Sequence, residues 1–237
     1  HSRHPEEPTG QDVSAQYVQF KYRRVRDADD EWMVQAYFSR NVLDAPNVTP
    51  LVPPLVPVVT PFLLDAGVDI TQTRANLEFQ ANQRIAADWR MAWGAEVRHE
   101  TVESRRYLNT HDTLDGTLGR VYANLEWRAR PDLLVQGGAM LEHHYFTGTD
   151  VSPRAAVNYT PAEGHTLRLN VSQAYRSPTI FERKGNLSYY TTTGTLVEQI
   201  VAPSGPLRPA RILSRELGYV GAYAAMQVQL DVRLIRA

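Results

Sequence analysis

Eight stretches of about ten residues alternate apolar and polar side chains, and this pattern constrains the fold more than any other feature of the sequence. Trp89, Met91, Trp93, Ala95 and Val97 are interleaved with Arg90, Ala92, Gly94, Glu96 and Arg98. Val121, Ala123, Leu125 and Trp127 are interleaved in the same way with Arg120, Tyr122, Asn124, Glu126 and Arg128. A period of two means a strand with one apolar and one polar face. When the polar face carries long charged side chains, the apolar face becomes a candidate for contact with lipid.

Composition narrows the options. Lys and Arg total 25 against 26 Asp and Glu in 237 residues, so charge gives no case for a nucleic-acid partner. With no Cys, disulfides, zinc-thiolate sites and a cysteine nucleophile are excluded. No run of 18 apolar residues is present, so no helix is expected to span a membrane. The mean hydropathy of −0.39 is also what a barrel with a polar interior would show, because half of each strand is hydrophilic. The chain opens on His1 with no signal-peptide pattern, and the expectation is a processed product or a piece of something longer.

The alternation predicts about ten strands, the first through Val18, Phe20 and Tyr22 and the last through Val228, Leu230, Val232 and Leu234. Short connections are expected at 27–31, 86–88, 130–132, 161–164 and 221–225, and mostly longer ones at the other end. The two longest run over 41–66 and 176–213, with a short Gly148-Thr149-Asp150 loop between them. Sorting short and long connections to opposite ends fits an outer-membrane barrel, whose periplasmic turns are short and extracellular loops long. The fold expected is therefore all-β: an antiparallel transmembrane β-barrel, present as a partial barrel of about ten strands. Trp32, Trp89, Trp127, Tyr159 and Tyr223 fall near the short turns and Tyr107, Tyr145, Phe146 and Tyr175 near the opposite ends, as two interfacial belts of aromatic rings would.

Three segments carry a family resemblance. Ser152-Pro153-Arg154-Ala155-Ala156-Val157-Asn158-Tyr159-Thr160-Pro161 resembles a hairpin arm of the TonB-dependent outer-membrane receptors, the plugged barrels of Gram-negative bacteria. Ala174-Tyr175-Arg176-Ser177-Pro178-Thr179-Ile180-Phe181-Glu182 is similar to a second family segment. Gly205-Pro206-Leu207-Arg208-Pro209-Ala210-Arg211, followed by Glu216-Leu217-Gly218-Tyr219, resembles a third, with Ala210 where the family usually has Glu. The resemblance implies that residues 1–237 are one segment of a receptor barrel, without its plug domain and remaining strands. It further implies active uptake of a scarce solute, with a ferric siderophore leading, powered through TonB. The location implied is the outer membrane of a Gram-negative bacterium, with outer-membrane lipid as a partner. Haem is disfavoured because no His occurs between Arg176 and Ala237.

Candidate site residues follow from position. Arg176, Pro178 and Glu182 lie where a strand enters the longest loop. They read either as part of a ligand vestibule or as a corner in which Pro ends the strand and Arg pairs with Glu. Arg90, Glu96, Arg120, Glu126 and Arg168 are expected on the interior wall, pairing across strands. The proline-broken apolar stretch 51–64 is expected to pack against neighbouring loops. His143 and His144 are adjacent on a strand, point to opposite faces and cannot chelate one ion. His111 and His165 are expected in solvated loops or turns. No catalytic residue, metal site or cofactor is expected, and no Gly-rich phosphate cradle or nucleophile elbow is present. Two other readings stay open: a ten-stranded omptin-like hydrolase of the outer membrane, and a soluble all-β binding module. Apolar faces exposed on the outside would favour a barrel, and the same faces buried between two sheets a sandwich.

Overall fold

The computed structural model describes residues 10–27, 30–51, 62–203, 205–223 and 228–236. In chain order the elements are β1 (Asp12–Asp27), β2 (Asp30–Ala45), β3 (Val48–Leu51), β4 (Phe62–Asp65), β5 (Val68–Ala86), β6 (Trp89–Glu103), α1 (Arg105–Leu108), β7 (Leu114–Arg130) and β8 (Leu133–His144). They continue with β9 (Gly148–Ala162), β10 (His165–Arg176), α2 (Ile180–Lys184), β11 (Ser188–Thr191), β12 (Leu196–Gln199), β13 (Ala210–Tyr223) and β14 (Val228–Arg236).

Ten long strands form one antiparallel sheet in the order β1-β2-β5-β6-β7-β8-β9-β10-β13-β14. Its two outermost strands do not meet among the described residues, so the sheet is an open arc rather than a closed ten-stranded barrel. Register follows the sequence alternation. Glu96 lies opposite Arg120, which lies opposite Glu142, while Met91 pairs with Leu125 and Ala95 with Val121. A slip of one residue would move every charge to the apolar face, so the pattern fixes the register.

The apolar face is bare. Leu77, Val121, Leu169 and Leu217 are each more than half exposed, and among the described residues the buried hydrophobic ones are Ala81, Leu108, Leu118 and Ile180. A soluble sandwich would bury those Leu and Val rows against a second sheet; none covers them among the described residues. The surface is instead a continuous apolar belt that water would penalise and lipid would not. Near the short turns it carries rings in contact: Tyr22–Trp32–Phe79–Trp93 in one row, and Trp89 stacked on Trp127 at 5.3 Å.

Several strands run well beyond ten residues, with β5 reaching 19. An apolar band about 25 Å tall needs only about ten tilted residues. The extra length therefore projects past the band at the long-loop end, where ladder hydrogen bonds rather than alternation sustain it. β2 accordingly extends to Ala45 and β13 begins at Ala210, shortening both long connections. The turn expected at Gly148-Thr149-Asp150 is shifted: those residues open β9, and Tyr145-Phe146-Thr147 turn the chain. Of the turns at the opposite end, residues 28–29 and 224–227 lie outside the described residues.

The two longest connections do not stand apart. β3 and β4 from one, and β11 and β12 from the other, make a four-stranded sheet in the order β12-β11-β4-β3. The join pairs Tyr190 with Asp65 and Thr191 with Leu64, and the Thr192 N–H donates to the Leu63 carbonyl at 2.9 Å. Pro50 sits on the outer strand β3, where a missing N–H costs no ladder bond. The ends of the proline-broken stretch thus pack on a neighbouring loop as expected, while 52–61 lie outside the described residues.

Candidate functional site

At the long-loop end the polar face closes on a cavity of about 600 Å³. Strands β5 to β8 supply its wall through a chain of ion pairs. Arg74 Nη2 reaches Glu100 Oε2 at 3.0 Å, and Arg98 Nη2 reaches Glu96 Oε1 at 3.0 Å. Arg120 bridges two carboxylates, Glu96 at 3.2 Å and Glu142 at 2.6 Å. The two oxygens left over are also occupied: Ser177 Oγ donates to Glu142 Oε1 at 3.2 Å, and Tyr145 Oη to Glu100 Oε1 at 3.4 Å. Such pairs are possible because cross-strand neighbours on one face sit close together.

The upper part of the cavity comes from the two short helices. Asp69, at the start of β5, accepts from Ser104 Oγ and from the N–H groups of Arg105 and Arg106, while Ser104 Oγ accepts from the Tyr107 N–H. These contacts satisfy donors that the first turn of α1 leaves open. α2 begins with a capping box, Glu182 N–H to Thr179 Oγ1 at 3.1 Å and Thr179 N–H to Glu182 Oε2 at 2.8 Å. Tyr107 and Phe181 meet edge to face at 5.5 Å, joining the helices over the cavity. Tyr145 stacks on His144 at 4.2 Å and occupies the space above Gly116, where a Cβ would collide with its ring. Burial, and then the neighbouring Glu100 carboxylate, raise the Tyr145 hydroxyl above its ordinary range, so it stays a protonated donor.

The loop sheet is tied to α1. Arg106 forms an ion pair with the Asp65 carboxylate and donates to the Asp65 carbonyl at 2.9 Å. Burial pushes the Asp65 carboxyl up, but the hydrogen bonds from Arg106 and the Gly67 N–H outweigh it and hold the group below its usual value. The Asn186 N–H donates to the Tyr107 carbonyl at 2.8 Å.

Arg176 and Pro178 line the cavity. Arg176 holds Glu182 through two hydrogen bonds of 3.0 and 2.9 Å, so the corner arrangement is the one observed, at the rim of the cavity. Arg176 first, then the Thr179 N–H, lower the Glu182 carboxyl to about 2. Of the expected wall residues, Arg120 lines the cavity and Glu96 stands between Arg98 and Arg120. Arg90 and Glu126 are opposite one another nearer the short turns, and Arg168 faces Asn158 and Gly218. Those three share the polar face without reaching the cavity.

The aromatic residues at the long-loop end are placed differently from expectation. Tyr107, Tyr145 and Tyr175 border the cavity, and Phe146 lies under the Arg183 guanidinium at 4.8 Å, so these rings serve the interior and the loops rather than an outer belt. His165 is not a solvated turn residue: it opens β10, and its Nδ1 lies 2.8 Å from Tyr219 Oη. His143 and His144 do point to opposite faces, one to Thr149 on the apolar side, the other buried beside the cavity. Glu100 escaped the sequence reading, and Tyr107 and Phe181 were named there without a place at the cavity. Extending the alternation of β6 by one step would have found Glu100; the two rings reach the cavity only because helices fold back over the sheet.

The sequence matches the family described as TonB dependent receptor-like, beta-barrel, over residues 2–234. No curated protein sequence matches it. Among solved structures, a mutant of the ferric enterobactin receptor PfeA from Pseudomonas aeruginosa is similar, with a TM-score of 0.65 and 13% identity over 93% of this chain and 34% of that one. The ferric-catecholate import receptor Fiu from E. coli K12 has a TM-score of 0.66 and 10% identity over 95% of this chain and 40% of its own. The siderophore receptor PirA from Pseudomonas aeruginosa has a TM-score of 0.59 and 16% identity over 89% and 44%. The chain thus spans between a third and a half of the length of these receptors, which, like the family, are not enzymes. An open arc with a bare apolar face, a polar face gathered around a cavity and a profile match over nearly its whole length lead to one assignment: the chain belongs to the TonB-dependent receptor β-barrel family.

Proposed function

We propose that this chain is one segment of the barrel wall of an outer-membrane receptor that takes up a ferric siderophore, with energy delivered by TonB through a plug domain. The observation that carries the reading is the cavity on the polar face, covered at the long-loop end by the short helices α1 and α2. Loops held on a rigid sheet are where recognition concentrates. Arg176, Pro178 and Glu182 form the rim past which ligand enters. Arg90, Glu96, Arg120, Glu126 and Arg168 belong to the wall it passes. The bare apolar belt supports contact with outer-membrane lipid and a location in the cell outer membrane of a Gram-negative bacterium. The reading involves no catalysis, resident cofactor or nucleic acid.

The test is uptake of radioiron-loaded siderophores by cells carrying or lacking the complete receptor, in backgrounds with and without TonB. Uptake that requires both proteins supports the reading. Uptake unaffected by loss of either refutes it.

A further inference from the structure

The arginines around the cavity are already spent on carboxylates. Four guanidinium groups line it: Arg74, Arg98, Arg120 and Arg176. Glu100, Glu96, Glu142 and Glu182 pair with them at 2.6–3.2 Å, and all six oxygens of the first three carboxylates accept a hydrogen bond. Arg74 Nε has no acceptor, but it is occluded from the cavity. His144 accepts the Phe146 N–H at Nδ1, so that nitrogen carries no proton and the ring adds no charge. The formal charge of the wall is therefore zero. What it offers a ligand is aromatic: the rings of Tyr107, Tyr145 and Phe181, backed by the buried Leu108, Leu118 and Ile180. Phe181 is 43% exposed on the short helix α2, with one ring contact, to Tyr107, and the rest of its face open.

We infer that this cavity selects a ligand of zero net charge with apolar or aromatic faces, such as a neutral ferric trihydroxamate, and discriminates against a polyanionic chelate. The inference rests on the uptake reading above and names the substrate class for that site. A polyanion entering here finds each guanidinium matched by a carboxylate at hydrogen-bonding distance. To bind, it would have to break a pair and leave a partly buried Glu uncompensated, which is the arrangement proteins avoid. A neutral complex leaves the network untouched and gains by covering exposed rings. A cavity of about 600 Å³ lies within the range that takes compact ligands.

The test uses the complete receptor in detergent and two probes, ferrichrome (a ferric trihydroxamate of zero net charge) and ferric enterobactin (a tris-catecholate carrying three negative charges). Binding is followed by quenching of tryptophan fluorescence. The expected result is at least tenfold tighter binding of the neutral probe, with an affinity that barely changes between about 0.05 and 0.5 M NaCl. Phe181→Ala, a change on an exposed loop helix that leaves the sheet alone, should weaken it about tenfold. Equal or tighter binding of the trianion, falling steeply with salt, overturns the inference and leaves the uptake reading standing. Binding of neither probe, together with no TonB-dependent uptake of either, overturns both.

Discussion

Leu169 and Asn170 are adjacent on β10 and face opposite sides of the sheet, so the same substitution at each position isolates the effect of the face. Leu169 is 52% exposed and lies opposite Leu217 and Val157, both on the bare apolar side. It is four residues past His165, where the strand begins. At about 3.3 Å per residue and a tilt near 45°, that depth is about 9 Å into an apolar band about 25 Å tall. Arginine there meets hydrocarbon short of the midplane, and Leu169→Arg should cost about 2–3 kcal/mol, which is about 30- to 150-fold in the folding equilibrium. Asn170 faces the polar side between Ala156 and Glu216. Asn170→Arg gains a carboxylate across the strand pair and should cost less than about 1 kcal/mol. The assay is reversible refolding of the complete barrel into lipid bilayers along a denaturant series. Equal costs at the two positions, or a larger cost at Asn170, would refute the assignment of the apolar face to lipid and with it the membrane reading.

Removing residues 188–199 deletes the β11 partner of β4, so the loop that contains β3 and β4 should become protease-sensitive even though its own sequence is intact; ligand binding should be lost while barrel assembly, read by heat-modifiable gel mobility, survives. Gly116→Val should expel the Tyr145 ring and destabilise the barrel by about 1–3 kcal/mol in the same refolding assay, and adding Tyr145→Ala should recover part of that loss. Glu182 has a carboxyl depressed to about 2, so its contribution to holding α2 is complete above the ordinary carboxylate range and is lost as pH falls from about 4.5 toward 2. Hydrogen-exchange protection at 179–185, corrected for the intrinsic rate, should therefore fall only over that acid window, and Glu182→Gln should remove this pH dependence of the protection.

The alternation of side chains determined the strands, their register and the two faces. Met91, Trp93, Ala95, Leu125, Leu169 and Leu230 share one face, and Arg90, Glu96, Arg120, Glu126, Arg168 and Asp231 the other. It could do so because the period of two is a local property of each strand, and because neighbouring strands in sequence are neighbours in the sheet. The Trp residues near the short turns were legible for the same reason. The strand extensions past the apolar band were not, since in water either face tolerates polar residues and alternation carries no signal there. Nor was the cavity. Its arginines and glutamates could be named, but which carboxylate each arginine meets is set by side-chain reach across four strands. Tyr107, Tyr145 and Phe181 come together only because two one-turn helices, capped by Asp69 and Glu182, fold back over the sheet. The joining of β4 to β11 links residues more than a hundred positions apart through backbone hydrogen bonds alone. Those bonds are indifferent to side-chain identity, so no pattern in the sequence announces them, and only the tertiary structure could bring the two loops together.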